Sequence, residues 1–208
     1  MSTTERWATF DCFGTLIDWN GGLRHALGSD DLLRRYHELE PQVQAESPSS
    51  SYREVMAEVA RRIGSADEEA LARSLPSWQP FPEVREALEE ARARGWKLAI
   101  LSNTDRDFIE ASMEQIGVPF DLAIVASELG SYKPARKHWD RFFEETGAAT
   151  DQHVHAAQSH YHDIVPARAL GLTTVWINRY GEQAEPAPTR ELADLSQLPD
   201  TLDELAPA

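Results

Sequence analysis

From residue 81 onward, short apolar runs alternate with amphipathic stretches, and this alternation restricts the fold more than any other feature of the chain. The segment "PEVREALEEARARG" sets Val84, Ala87, Leu88 and Ala91 on one stripe at helical spacing, with Pro82 near its start and Gly95 past its end. "KLAILSN" reads as a buried strand, "DRDFIEASMEQIG" as a helix closed by Gly117, "FDLAIVAS" as a strand and "PARKHWDRFFEETG" as a helix. "HVHAAQS" and "TTVWIN" read as two further strands, with the helix "DIVPARALG" between them. Strands alternating with helices of this length are joined by crossovers, which makes a parallel sheet covered on both faces. Segment 6–11 supplies one more apolar strand, stopped by a glycine-containing turn. The Pro-rich "GEQAEPAPTR" reads as a loop, and Leu192, Leu195, Leu198 and Leu202 mark a last apolar stripe.

Residues 17–79 differ in character. "DDLLRRYHEL" and "YREVMAEVARRIG" carry helical periodicity, interrupted by "ESPSSS" and "SLPSWQPFP", and no β-rich run occurs among them. The expected organisation is an α/β core from residues 1–16 and 80–208, with an all-helical segment, 17–79, inserted after the first strand. The formal net charge of −15 argues against a nucleic-acid ligand and against an anionic membrane surface, since both require a basic footprint. Cys12 is the single cysteine, which excludes an internal disulfide and fits a reducing compartment. "MSTTERW" has no signal-peptide core, and no apolar run approaches the roughly 20 residues that span a bilayer, so a cytoplasmic location is expected.

Ligands of open parallel sheets bind beyond the C-terminal strand ends, and these ends are polar throughout. The first strand ends on Asp11, the second on Ser102 and Asn103. The third is followed by "SYKP", which supplies Lys133, and the fourth by Gln158, Ser159 and His160, with His162 and Asp163 beyond. Each position has a plainer reading. Asp11 suits a turn, while Ser102, Asn103, Asp105 and Asp163 all suit helix N-termini, and a loop lysine is commonly solvated. Capping alone does not account for a carboxylate, a hydroxyl with an amide, a lysine and a second carboxylate at successive strand ends.

The ordered segments "DCFGT", "LSN", "YKP" and "SHYHD" resemble the four motifs of the haloacid dehalogenase-like hydrolase superfamily, and the resemblance extends over essentially the whole chain. It implies a Rossmann-like core with 17–79 as a cap domain. It also implies nucleophilic attack by Asp11, binding of the substrate's anionic group by Ser102, a steadying role for Lys133 and a fourth-motif role for Asp163. Phosphatases of the superfamily carry an Asp two residues after the nucleophile as general acid and base; here the residue is Phe13, which transfers no proton. A carbon–phosphorus-cleaving branch uses a cap lysine, whereas the chain's three lysines are Lys97, Lys133 and Lys137. "FDCFGTLID" is similar to the first motif of 2-haloacid dehalogenases, which have an aromatic residue at this position. A halide leaves as a stable anion and needs no proton, and an apolar wall desolvates the attacking carboxylate.

The resemblance therefore implies attack of Asp11 on Cα of a small 2-haloalkanoate, hydrolysis of the aspartyl ester with Asp163, and a 2-hydroxy acid product. Substrate contacts are expected from Phe13, Thr15, Ser102, Asn103, Trp139, Gln158, Ser159, His160 and His162. Arg35, with Arg24 and Arg34 as alternatives and His37 alongside, is expected to meet the leaving halide. Gln158 and His160 stand where such dehalogenases carry Ser and Asn, and Trp139 where they carry Tyr. No cofactor is expected; were Mg²⁺ bound, Asp11, the Phe13 carbonyl and Asp163 would hold it. His153 and His155 share a strand face and read as core residues, because no third metal ligand is spaced to join them. Other readings are a Mg²⁺-dependent phosphatase of a small metabolite and a catalytically quiet relative that binds an anion. An apolar surface on the insertion is compatible with a homodimer.

Overall fold

Strand β1 (Arg6–Phe10) is buried along its whole length because its alternate side chains enter two different cores. Ala8 and Phe10 join one apolar cluster and Trp7 the other. The computed structural model describes residues 5–207, so residues 1–4 and 208, the extreme ends of the expected core segments, lie outside the described residues.

Four helices follow β1: α1 (Trp19–Leu27), α2 (Asp30–Glu46), α3 (Tyr52–Ile63) and α4 (Ala70–Ser74). Ser51 and Glu54 close a reciprocal capping box at the start of α3, and Gly64 ends it in the left-handed conformation at φ +81°. Helix α2 continues past the "DDLLRRYHEL" stripe and through Pro41, because Val43 keeps its inner face buried.

The alternation expected from residue 81 is present. Helix α5 (Val84–Ala93) leads to β2 (Trp96–Ser102), α6 (Arg106–Ile116) to β3 (Leu122–Val125), and a single turn, α7 (Ala126–Leu129), follows. Then come α8 (Lys137–Thr146), β4 (His153–Ala157), α9 (Val165–Ala169), β5 (Thr173–Ile177), β6 (Arg190–Leu192) and α10 (Leu198–Leu205). All pairings are parallel, in the order β3-β2-β1-β4-β5-β6. Residues of α5, α6 and α10 pack with Ala8 and Phe10 on one face, while those of α8 and α9 pack with Trp7 and Leu101 on the other. The fold is thus α/β and Rossmann-like, with helices on both faces and an all-helical insertion.

Two short elements depart from the sequence reading. Ala126 and Ser127, read as the end of a strand, begin α7, and the expected loop after β5 ends in β6. At three residues, two of them exposed, β6 is too short to carry a pattern of alternation. Strand order reverses between β1 and β4, which makes the crevice beyond their C-terminal ends the topological switch point. Phe10 pairs with Ile100 on one side and Ala156 on the other, so Asp11 emerges there, between two neighbouring strand ends.

Candidate active site

Asp11 leaves β1 into a tight turn that depends on Gly14. Its φ of +88° is the left-handed region that favours glycine, and a Cβ there would stand 3.2 Å from Gln158 Oε1. Gly14 N–H donates to Ile17 at 2.8 Å and closes the turn. Thr15, in the same turn, is fully buried; its hydroxyl donates to Asp11 Oδ2 at 3.0 Å and accepts from Gln158 N–H at 2.8 Å. One hydroxyl thereby joins the end of β1 to the end of β4.

Lys133 is buried, and each of its three ammonium hydrogens has a partner. Nζ stands 3.0 Å from Asp11 Oδ1, 2.7 Å from Asp163 Oδ1 and 2.7 Å from the Leu101 carbonyl. Burial works against its charge, but Asp11 and Asp163 outweigh it and hold the Lys133 pKa above the ordinary value. Asp163 is likewise buried, yet Lys133 and His155 overcome that penalty and lower its carboxyl to about 2. Burial raises Asp11 and the charge of Asp163 adds to it, with Lys133 opposing. Asp163 is held through Oδ1 alone, and its Oδ2 is buried with no hydrogen-bond partner among the described residues.

Behind Asp163 runs a buried chain that fixes the histidine tautomers. His155 Nε2 stands 3.0 Å from Asp163 Oδ1, an acceptor, so Nε2 carries the hydrogen and Nδ1 accepts. Thr9 Oγ1, 2.8 Å from that Nδ1, must then donate to it and accept from His153 Nε2–H, also at 2.8 Å. Both histidines are core residues, as their strand-face position implied. The thiol of Cys12, beside the nucleophile, is buried, and burial pushes its pKa up.

The remaining expected residues divide into two groups. Phe13, Ser102, Asn103, Gln158, Ser159 and His162 line a cavity of about 210 Å³ together with Asp11, Lys133 and Asp163. This is small beside common ligand pockets of ~300–1,000 Å³. Ser102 Oγ is buried without a partner, whereas Asn103 exchanges two hydrogen bonds with the Lys133 backbone, at 2.7 and 3.0 Å, and so positions the lysine. His162 packs on Ser159, with Nδ1 3.0 Å from Oγ, and burial lowers its pKa to about 4.

Thr15, which is buried behind Asp11, and Trp139, His160 and Arg35 are not on that lining. Trp139 is fully buried, edge-on to His155 at 5.4 Å, because α8 turns its apolar face to the sheet. His160 reaches outward to the Pro186 carbonyl at 2.9 Å and packs against Trp176. Arg35 binds the carbonyls of Ile63 at 3.1 Å and Arg62 at 3.3 Å, satisfying the C-terminus of α3. Arg24 pairs with Asp30 and Arg34 with Asp31, both on the surface.

Asp105 and Asp163, read as suiting helix N-termini, serve otherwise. The carboxylate of Asp105 accepts from Tyr52 N–H at 2.8 Å and Arg53 N–H at 2.9 Å, capping α3 of the insertion from the core. At the fourth-motif turn it is Ser159 that caps, accepting from His162 N–H at 3.2 Å.

The cavity wall on the insertion side went largely unrecognised in the sequence: Trp19, Glu40, Pro41, Gln44 and Tyr52 line it, along with His37. His37, Glu40 and Gln44 follow one another at spacings of three and four, so they share a face of α2 beside the buried Leu33, Tyr36 and Val43. Polar residues within a core-facing stripe are the signal that marks them.

A Mg²⁺ ion held by Asp11, Asp163 and the Phe13 carbonyl would have to share both carboxylates with the ammonium that already bridges them. Among the described residues no three His, Cys, Asp or Glu side chains gather as a metal-holding group. Lys133 engages only Oδ1 of each acid, so the second carboxylate oxygens and the Phe13 carbonyl are oxygen donors of the kind magnesium takes.

Known proteins resemble the chain at several levels. Haloacetate dehalogenase H-2 of Moraxella sp. (strain B) is 36% identical over 105 residues, 50% of this chain and 46% of that protein. The (S)-2-haloacid dehalogenase H-109 of Pseudomonas putida is 28% identical over 72% of this chain and 70% of its own length. A phosphoserine phosphatase of Thermus thermophilus is also 28% identical, over 69% of this chain and 62% of the phosphatase. The match thus spans about half the length of the Moraxella relative and more of the others. The crystal structure of the L-2-haloacid dehalogenase RSc1362 superposes with a TM-score of 0.83 at 22% identity, over 97% of this chain and 100% of that one, a likeness of fold. A family model described as haloacid dehalogenase-like hydrolase matches residues 6–171, four-fifths of the chain, and includes every strand end that meets at the cavity. On that match, the chain belongs to the haloacid dehalogenase-like hydrolases.

Proposed function

We propose that the chain is a 2-haloacid dehalogenase that displaces halide through an aspartyl ester on Asp11. The observation that carries this reading is the pairing of a cation-steadied Asp11 with an aromatic neighbour. Phe13 faces the cavity where a proton-carrying residue would serve a phosphate ester, and its ring stacks on Tyr52 at 6.4 Å. An alkoxide leaving group would miss a general acid worth typically ~10²–10⁴-fold. A halide leaving group misses nothing. The dehalogenases among the relatives support the same choice.

In this reading the substrate carboxylate is bound by Ser102 Oγ, a buried hydroxyl without another partner. An Asp11 oxygen attacks Cα, the carbon–halogen bond breaks, and the halide departs with the bonding pair. Lys133 keeps Asp11 anionic before attack and is never itself the nucleophile, since all three of its hydrogens are engaged. Water then adds to the ester carbonyl of Asp11, passing its proton to Asp163, whose unpartnered Oδ2 suits that role. Collapse of the adduct breaks the acyl carbon–oxygen bond and returns that proton to the departing 2-hydroxy acid, restoring both carboxylates. Residues 17–79 serve as the cap that closes over the core of 1–16 and 80–208 and excludes bulk water.

A single turnover in heavy-oxygen water tests the scheme. Hydrolysis at the carbonyl places the label in the side chain of Asp11, read by peptide mass spectrometry, and unlabelled Asp11 with labelled hydroxy acid would refute it. No step uses a metal ion, so halide release is expected to persist undiminished in excess chelator; a loss restored by Mg²⁺ would turn the assignment towards phosphoryl chemistry.

A further inference from the structure

The wall of the cavity that faces Asp11 from the insertion holds an acid where an outgoing anion calls for a cation. The insertion has seven arginines, and none lines the cavity. Besides Arg24, Arg34 and Arg35, Arg53 pairs with Asp107, Arg61 and Arg62 with Glu58, and Arg73 with Asp67. Glu40 is on the wall instead, only 7% exposed. Its Oε1 accepts from Gln44 Nε2 at 2.9 Å, one turn along α2.

An isolated buried carboxylate is costly as an anion and retains its proton. Burial, with the charge of Asp11 adding and the Tyr52 hydroxyl partly offsetting, pushes Glu40 up to about 7. The tyrosines, the histidines, Lys133 and Asp163 around it do not compete for that proton near neutrality. Burial raises Tyr36 and Tyr52 well above their ordinary range, and Tyr132 to about 13. His37, at stacking distance from Trp19, is lowered by burial, and His162 to about 4. Lys133 remains a cation and Asp163 an anion, while burial raises Asp11 and Lys133 opposes that rise.

We propose that Glu40, as a neutral carboxylic acid, is the hydrogen-bond donor that receives the leaving halide, and that it tunes the site towards fluoride. The inference deepens the dehalogenase reading and rests on it. An Asp11 oxygen forms the bond to Cα with its own electron pair as the carbon–fluorine bond breaks. Fluoride leaves with the bonding pair and is held by the Glu40 O–H. The proton stays on Glu40, because hydrogen fluoride is the stronger acid, so the step neither creates nor consumes one. A guanidinium would attract every halide through its charge. A neutral O–H donor stabilises each in proportion to its strength as an acceptor, which favours fluoride most and bromide least.

The test measures halide release from fluoroacetate and bromoacetate between about pH 5.5 and 9.5, for the wild type, Glu40→Gln and Glu40→Leu. In the wild type, fluoride release is expected to fall about 10- to 100-fold as the pH rises through neutrality, the range of one hydrogen bond to a charged group. Bromide release should change far less over the same interval. Glu40→Gln keeps an N–H donor that does not titrate, so the alkaline limb should vanish. Glu40→Leu should lose fluoride release disproportionately at every pH. Equal losses for the two halides in Glu40→Leu, or an alkaline limb that survives in Glu40→Gln, would overturn the assignment while leaving the dehalogenase reading in place. If the wild type releases neither halide, that reading fails, and a fluorine-19 NMR titration with fluoride decides the role of Glu40 alone. Binding that weakens with rising pH in the wild type and becomes pH-independent in Glu40→Gln supports it; absent binding, or binding with the same pH dependence in both, overturns it.

Discussion

At the scale of single residues, the site is governed by how few hydrogen-bonding options each buried group has. Lys133 spends its three hydrogens on two carboxylates and one carbonyl, which leaves Asp163 Oδ2 and Ser102 Oγ as the unpartnered polar atoms on the cavity wall among the core residues described above. Thr9 is the most constrained of the supporting groups, since its hydroxyl both donates to His155 and accepts from His153. Thr9→Val removes that hydroxyl at nearly constant volume and strands two buried ring nitrogens. Urea unfolding should show a loss of about 1–3 kcal/mol. Because His155 would lose its orienting partner, and Asp163 with it, kcat should also fall, with KM little changed. The motif residues Asp11, Lys133 and Asp163 were legible in the sequence because strand ends announce themselves by polarity after an apolar run. Thr9 and Glu40 were not, since one is a threonine in a strand and the other a glutamate in a charged helix until packing buries them.

At the scale of elements, the insertion is held to the core by borrowed caps. Asp105 precedes α6 but satisfies the first N–H groups of α3, and the Tyr132 hydroxyl donates to the Ser50 carbonyl at 2.8 Å in the same junction. Phe13 adds an apolar contact, edge-on to Trp78 at 6.2 Å. Asp105→Ala should therefore cost about 1–2 kcal/mol, in line with loss of an N-cap. Hydrogen exchange should localise the faster amides to the start of α3 rather than to α6, which would lose nothing at its own terminus. Equal acceleration in both helices would contradict this account. Sequence spacing placed α2, α3, α5, α6 and α8 because amphipathic periodicity is local. It could not place β6 or α7, at three and four residues, nor reveal that an aspartate next to one helix caps another.

At the scale of the whole molecule, burial keeps His138 and His153 neutral in an acidic chain. Burial lowers His138 to about 3, with Lys133 adding, and His153 to about 3, with His155 adding. An unfolded histidine takes up its proton near 6.5, so the unfolded state binds more protons at any lower pH. The stability these two groups contribute is therefore fully present above about pH 6.5 and is lost as pH falls towards 3. Between about pH 6.5 and 4.5 each of the two should contribute a loss of up to about 2.5 kcal/mol, and His153→Leu should flatten the fall of stability with pH by that amount. The sequence by itself determined the parallel α/β core, the helical insertion and the polar strand ends, because periodicity and chain reversal are local properties. Only the tertiary structure decided which side chains meet. The switch point between β1 and β4 gathers Asp11, Lys133 and Asp163 from three separate loops. The packing of α2 turns Arg35 away and Glu40 inward, since burial and hydrogen-bond partners exist only once distant segments have come together.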